Sequence, residues 1–318
     1  MRKRHLALML VAAAAVALSL MNASWLAPRP QGRLVLVAHR GVAQPIDRAA
    51  VGDGCSARHI AASGHNFIEN TLFSMHNAIS FGARGLALDV QASADGHAII
   101  FRDEELGCRT DGAGRVRERP LAYLKRLDMG HGYTADGGRN FPLRGRGVGA
   151  MPTAAEVIRA FPREVLIFTL RDAASAEALA AAFRAAGVEI GDRHGFAGDS
   201  AALARLRQLT GSGFIVDPEA SSACLSAYRR TGWLGIVPDG CEGATLLLPR
   251  RAGWTLWGWP YRFLDRMVDV GARFLIAGES EGDMLVGLER PEQLGEVPRH
   301  YRGLLLIEDM HDVGRAVQ

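Results

Sequence analysis

The segment "RLVLVAHRG" at residues 33–41 sets the fold. Leu34 to Ala38 is an unbroken aliphatic run with no polar alternate, which is the composition of a strand covered on both faces. Such strands belong to parallel sheets flanked by helices, so strand and helix should alternate along the rest of the chain.

They do. "ENTLFSMHNAISFG" (69–82) reads as a helix with Leu72, Met75 and Ile79 on one face and Gly82 as its stop. Further strands are read at "LALDV" (86–90), "HAIIF" (97–101), "EVLIFTL" (164–170), "GFIVD" (213–217), "ATLLL" (244–248), "RFLIAG" (273–278) and "GLLLIED" (303–309). Thr153 and Glu156 form a capping box that opens a helix in 151–162, and the Ala-rich helix 175–187 stops at Gly187. Alternation alone leaves a barrel and an open sheet equally possible. No repeat or low-complexity tract interrupts the pattern, and no GxGxxG or GxxxxGK[ST] opens a helix, which weakens a nucleotide-binding reading.

The chain opens "MRKRHLALMLVAAAAVALSLMNASWLAPRP" (1–30), with a basic start and an apolar run from Leu6 to Met21. This is an export signal or anchor rather than part of the fold. Small residues are poorly placed for cleavage, and the run stretches to ~22 residues, enough to span a bilayer with Arg2, Lys3 and Arg4 inside. An uncleaved anchor over 1–30 and one barrel domain over 33–318 are expected, with the barrel outside the cytoplasm. The roughly 290 residues left suit one barrel of ~250 residues plus loops. A net charge of +3, partly in the leader, and scattered arginines give no footprint for nucleic acid.

Four cysteines in an oxidising compartment suggest two bridges. Of the three pairings, Cys55–Cys108 and Cys224–Cys241 each tie loops of one half of the chain. No CxxC spacing supports a zinc site.

Chemistry in a parallel barrel collects at the carboxyl ends of the strands. Those ends carry His39 and Arg40, then Asp89, then Arg102 and Asp103, then Thr169, Arg171 and Asp172. Histidine moves protons near neutral pH and arginine grips oxyanions, so the set points to a phosphate ligand.

The series "AHRG" (38–41), "ENT" (69–71), "LALDV" (86–90), "ADG" (94–96), "FRD" (101–103) and "FTLRD" (168–172) resembles the glycerophosphodiester phosphodiesterase family. "MPT" (151–153) fits as well, and "CRTDG", "GHGYTADGG", "FPLRGRGVGAMPT" and "WGWPYRF" look like an exported branch. The likeness runs from residue 33 to about 310 and implies a TIM (β/α)8 barrel of the phospholipase C-like phosphodiesterase type. It also implies hydrolysis of glycerophosphodiesters to glycerol 3-phosphate and an alcohol. Two histidines would act as base and acid, and Ca²⁺ or Mg²⁺ would be held by three carboxylates.

Carried over residue by residue, the resemblance makes His39, Arg40 and Glu69 catalytic and Asp89 a metal ligand. Three positions depart from the pattern. Ala87 and Thr169 stand where the family has metal-binding Glu, and Arg102 stands for the second histidine. Arginine does not release its proton in a protein. Losing two carboxylates while gaining a guanidinium is also what replacing a cation by arginine would look like. Bacterial phosphatidylinositol-specific phospholipases C, on a related barrel, do so. By that analogy Arg40, Arg102 and Arg171 hold the phosphate and no metal is needed. The competing reading is a pseudoenzyme that binds a phosphorylated ligand or lipid head group without cutting it.

Loop residues offered as substitutes are His59, His65, His131, Glu104 and Glu105. His97 is excluded as lying at the strand start, on the far side of the barrel. The Gly-rich 141–152 reads as a tight-turning loop, with phosphate cradling as the alternative. Tyr133 is a possible head-group contact. "GWTLWGWPYRF" (253–263) is a packed loop or a membrane-facing rim, with packing favoured.

Overall fold

The computed structural model describes residues 2–51, 54–61, 64–211, 213–250, 252–278 and 286–317. Among the described residues there are nine strands: β1 Leu34–His39, β2 Gly85–Ala92, β3 Ala98–Ile100, β4 Val165–Leu170, β5 His194–Gly198, β6 Phe214–Val216, β7 Thr245–Pro249, β8 Arg273–Ala277 and β9 Gly303–Ile307. The helices are α1 Arg2–Met21, α2 Leu72–Ser80, α3 Leu121–Leu124, α4 Ala154–Ala160, α5 Ala173–Ala186, α6 Ser200–Thr210, α7 Pro218–Thr231, α8 Tyr261–Asp269 and α9 Val313–Val317.

Eight strands lie parallel in the order β6-β5-β4-β2-β1-β9-β8-β7, a nearly closed barrel whose gap lies between β6 and β7. Strand and helix alternate outside it, so the chain has the TIM-barrel architecture. The interior is filled by Val37, Ala87, Ile167, Ala197, Phe214, Val216, Leu275 and Leu306. A larger apolar layer joins the outer strand faces to the helices. A third cluster lies under the loops after β3 and includes Ile99, Phe101, Leu106 and Tyr133.

Three readings change. "HAIIF" is not a barrel strand. β3 pairs antiparallel with β2, Val90 opposite Ile100, and forms a hairpin that returns the chain to the barrel mouth. His97 therefore lies near the hairpin turn beyond β2, and not at the opposite end of the barrel. β5, "HGFAG", takes the vacant place in the barrel. Its two glycines and single Phe gave no apolar run to read, and Gly195 packs where a Cβ would meet the Phe214 ring at 2.4 Å. Finally, α2 starts at Leu72 because Thr71 is its N-cap, accepting from the Ser74 N–H at 3.1 Å. Glu69 and Asn70 are thereby left in the loop that faces the mouth.

Both expected disulfides form, Cys55–Cys108 and Cys224–Cys241. α1 lies outside the barrel and unburied, with a basic start and an apolar run from Leu6 to Met21.

Candidate active site

Alternation along a strand sends every second side chain inward. Val37, Ala87, Ile167 and Leu306 point into the barrel, so His39, Asp89, Thr169 and Glu308, two residues further on, reach the mouth. The register sets His39 beside Ala87 and Asp89 beside Thr169.

His39 Nδ1 lies 2.7 Å from Glu308 Oε2, which also accepts the Gly287 N–H at 3.2 Å. With Nδ1 committed to a carboxylate, Nε2 is the ring nitrogen left for a ligand. The other Glu308 oxygen is bound by Arg40. Arg40 is 2% exposed and its NH1 lies 2.9 Å from Glu69 Oε2. Arg109 takes the second Glu69 oxygen, pairs with Asp103, and donates to Tyr133 Oη at 2.8 Å and Ser56 Oγ at 2.7 Å. Arg102 reaches the same Ser56 Oγ at 3.0 Å.

The backbone beneath is strained. Arg40 and Asn70 have φ of 63° and 58°, a region that costs side-chain-bearing residues energy and persists where surroundings enforce it. The enforcement is visible: the Arg40 N–H donates to Ala87 O and the Asn70 N–H to Arg40 O, each at 2.8 Å. Gly41 follows at φ 82°, and a Cβ there would sit 2.5 Å from Ser74 Oγ.

Charge explains how the buried groups persist. Burial alone would lower the Arg40 pKa, but Glu69 and Glu308 raise it above the usual range. Burial alone would raise Glu69, but Arg109, Arg40 and Arg102 pull it below the usual carboxylate range. Arg102 goes the other way: burial, then repulsion from Arg40 and Arg109, lowers its pKa. A bound anion would relieve that repulsion.

The sequence reading brings His39, Arg40, Glu69, Asp89 and Arg102 to one mouth. It missed Glu308 and Arg109. Both stood in view, in "GLLLIED" and "CRTDG", but their partners His39 and Glu69 lie 269 and 40 residues away in sequence. Arg171 is exposed, and its NH2 donates to Arg102 O at 2.8 Å, which braces Arg102. Tyr133 is buried against Arg109 and offers no surface to a head group. The Gly-rich loop is a tight turn: Asp128 accepts the N–H groups of Gly145 and Gly147, as it does that of Gly130 outside the loop. Glu104 and Glu105 pair with Arg115 on the surface. His65 packs with Phe67 and His311, 3.0 Å from Gln44 Nε2. The Arg144 Nε–H donates to the His131 backbone oxygen at 3.2 Å. His59 lies in the turn Ser56–His59, on the segment that carries Ser56.

Residues 54–178 match the profile of the Glycerophosphoryl diester phosphodiesterase family. That match covers the segment that carries Glu69, Asp89, Arg102 and Arg109. A 128-residue stretch is 33% identical to an uncharacterised protein of Mycobacterium tuberculosis, covering 40% of this chain and 42% of the relative. The match thus spans less than half of that relative's length. The solved glycerophosphoryl diester phosphodiesterase domain of the same protein superposes with a TM-score of 0.58 at 21% identity, covering 90% of this chain and 98% of the domain. A phosphodiesterase of Oleispira antarctica, solved with its product sn-glycerol-3-phosphate, superposes at 0.55 and 19% identity, over 91% of this chain and 97% of that one. The structural likenesses show a shared fold.

The glycerophosphodiesterase family is generally dependent on a divalent cation, and the residues described here do not fit one. Ala87 supplies no oxygen and Thr169 only a hydroxyl. Asp89 keeps one buried oxygen, Oδ2, without a hydrogen bond. Ca²⁺ takes about six to eight oxygens, and the guanidinium of Arg102 opposes it. Among the described residues no three His, Cys, Asp or Glu side chains converge.

Proposed function

We propose that the chain is a phosphoric diester hydrolase that cleaves glycerophosphodiesters to glycerol 3-phosphate and an alcohol. It acts outside the cytoplasm, as one barrel tethered to the inner membrane by α1 or released from it. The observation that carries this reading is the His39–Glu308 pair at the barrel mouth. The family and the product complex of the Oleispira relative support the substrate class. The apolar α1 and the two disulfides support the compartment.

In the mechanism derived from these residues, Arg102 binds the phosphate oxygens and carries the charge of the transition state. His39 Nε2 takes a proton from the water that attacks phosphorus, and the phosphorus–oxygen bond to the alcohol breaks. Glu308 holds the Nδ1–H and stabilises the imidazolium. The imidazolium returns the proton to the departing alkoxide, so one histidine serves both ends. Arg40, Glu69 and Arg109 hold the pair in place from below.

A specific observation favours a second reading, a binding protein for phosphorylated ligands or head groups. Arg102, Ala87 and Thr169 replace one proton-transfer group and two metal ligands of the family. Hydrolysis of glycerophosphocholine and glycerophosphoethanolamine by the full-length protein, with Ca²⁺, Mg²⁺ or EDTA and a His39→Ala control, separates the two. Turnover that persists in EDTA and is lost in His39→Ala supports the hydrolase. No turnover, with glycerol 3-phosphate still raising the Tm, selects the binder.

A further inference from the structure

All five tryptophans of the chain gather where α1 meets the barrel. The end of α1 is built into the fold there. Arg266 of α8 donates to Met21 O at 2.9 Å and to Asn22 Oδ1 at 3.0 Å. Asn22 Nδ2 donates to Trp233 O at 2.9 Å, and the Tyr261 N–H to Ser24 Oγ at 2.9 Å. Four hydrogen bonds from two sides fix the exit of the helix, as no flexible linker would.

Around that exit the protein exposes large apolar side chains. Trp254 is 83% exposed and Trp25 76%; Ile236, Trp257, Leu234 and Trp233 are exposed as well. Trp254 and Trp257 line a hollow together with Asn22. The indole N–H groups of Trp233 and Trp257 are already used, on Arg230 O at 3.1 Å and Arg229 O at 2.9 Å. Their rings are thus anchored at the polar edge with their apolar bodies outward. Trp259 alone turns in and packs against Phe263.

In water such a patch is a liability. At a bilayer surface, tryptophan is the preferred residue. The unburied apolar run of α1 has the length and composition to cross a bilayer, and any residue beside its pinned end lies at headgroup depth. We infer that Trp25, Trp233, Leu234, Ile236, Trp254 and Trp257 form a seat that rests in the headgroup zone of the bilayer spanned by α1. The packed-loop reading of 253–263 then holds for Trp259 and not for Trp254. The seat is built on the helices outside β7 and β8 and shares no residue with the His39 cluster, so it stands or falls apart from the hydrolase reading.

The test uses the full-length protein in phosphatidylcholine vesicles whose acyl chains are brominated near the headgroup. Tryptophan emission should be quenched relative to plain vesicles, with little further loss to aqueous acrylamide. Trp254→Phe and Trp233→Phe should each remove part of the lipid-quenched emission. Two results overturn the inference. In one, the lipid-quenched emission is unchanged in both variants while acrylamide reaches both indoles, so the face is open to water. In the other, both indoles are shielded from both quenchers and the detergent-solubilised protein has the mass of two chains, so a second copy covers them. Trp254 is exposed enough that its replacement by Phe leaves packing intact, and the wild-type quenching is informative without any variant.

Discussion

His39 and Glu308 meet across the seam between the first and last strands, Nδ1 to Oε2 at 2.7 Å, and Arg40 holds the other oxygen of the same carboxylate. Glu308 therefore has two duties, orienting the histidine and balancing a buried guanidinium. Glu308→Gln keeps the shape and removes the charge. His39→Ala should lower turnover of glycerophosphocholine by roughly 10²–10⁴-fold, the usual worth of a positioned acid–base group. Glu308→Gln should lower kcat while KM changes little, because the imidazolium formed during reaction loses its partner. An unchanged kcat would limit Glu308 to a structural part.

Arg102 is the most exposed of the three clustered guanidinium groups, with 18% of its side chain accessible against 2% each for Arg40 and Arg109. It should be the one that meets the ligand. Arg102→Ala should abolish the Tm rise caused by glycerol 3-phosphate while changing the ligand-free Tm little. Arg171→Ala should weaken it only in part, since Arg171 acts through the Arg102 backbone. Thermal shift with and without glycerol 3-phosphate reads both, and an unchanged rise in Arg102→Ala excludes this assignment.

The donor set argues that cations are dispensable. Turnover should be the same in EDTA as in Ca²⁺ or Mg²⁺. Conversely, Ala87→Glu with Thr169→Glu places two carboxylates beside Asp89, and that double variant should gain a Ca²⁺-dependent Tm rise that the wild type lacks. Loss of wild-type turnover in EDTA would show that groups other than those described complete a metal site.

The two disulfides should separate under mutation. Cys55 and Cys108 flank Ser56 and Arg109, so that bridge holds two segments of the site together. Cys224–Cys241 ties α7 to the turn Asp239–Cys241, remote from the mouth. Each double serine variant should lose about 2–4 kcal/mol of stability. Only Cys55→Ser/Cys108→Ser should also weaken glycerol 3-phosphate binding, measured by calorimetry below the Tm of both variants. Equal binding losses would mean that the first bridge has no special tie to the site.

How far the sequence could be read follows from which constraints are local. β1, β4, β7, β8 and β9 are legible because burial on both faces demands aliphatic runs. The Thr153 and Glu156 capping box and the Gly187 stop are legible because each is settled within one helical turn. β5 is hidden because close packing on Phe214 demanded glycine in place of a large apolar residue. β3 is legible as a strand but not as an antiparallel one, since direction is not written in composition. At the site, His39, Arg40, Glu69 and Asp89 stand in a recognisable order. Glu308 and Arg109 are significant only through partners 269 and 40 residues away in sequence; pairing of the last strand with the first creates the one, and the loops over the mouth the other.

A last prediction concerns stability and lies away from the site. His194 is buried at the start of β5, its Nδ1 accepting the Gly191 N–H at 3.0 Å and its ring against Phe183. Burial, and then the charge of Arg193, push its pKa down to about 4. An unfolded chain protonates histidine near ~6.5. Between these values the unfolded state binds a proton that the folded state refuses. Stability must therefore fall as pH drops from ~6.5 towards 4, by up to ~1.4 kcal/mol per pH unit, and this contribution levels off below. His65, pushed to about 4 by burial and by His311, acts in the same direction. Urea midpoints measured from pH 7 to 4 should decline, and His194→Gln should make the decline shallower without removing it. A decline of unchanged slope in that variant would mean that His194 takes up its proton in the folded protein at an ordinary pH.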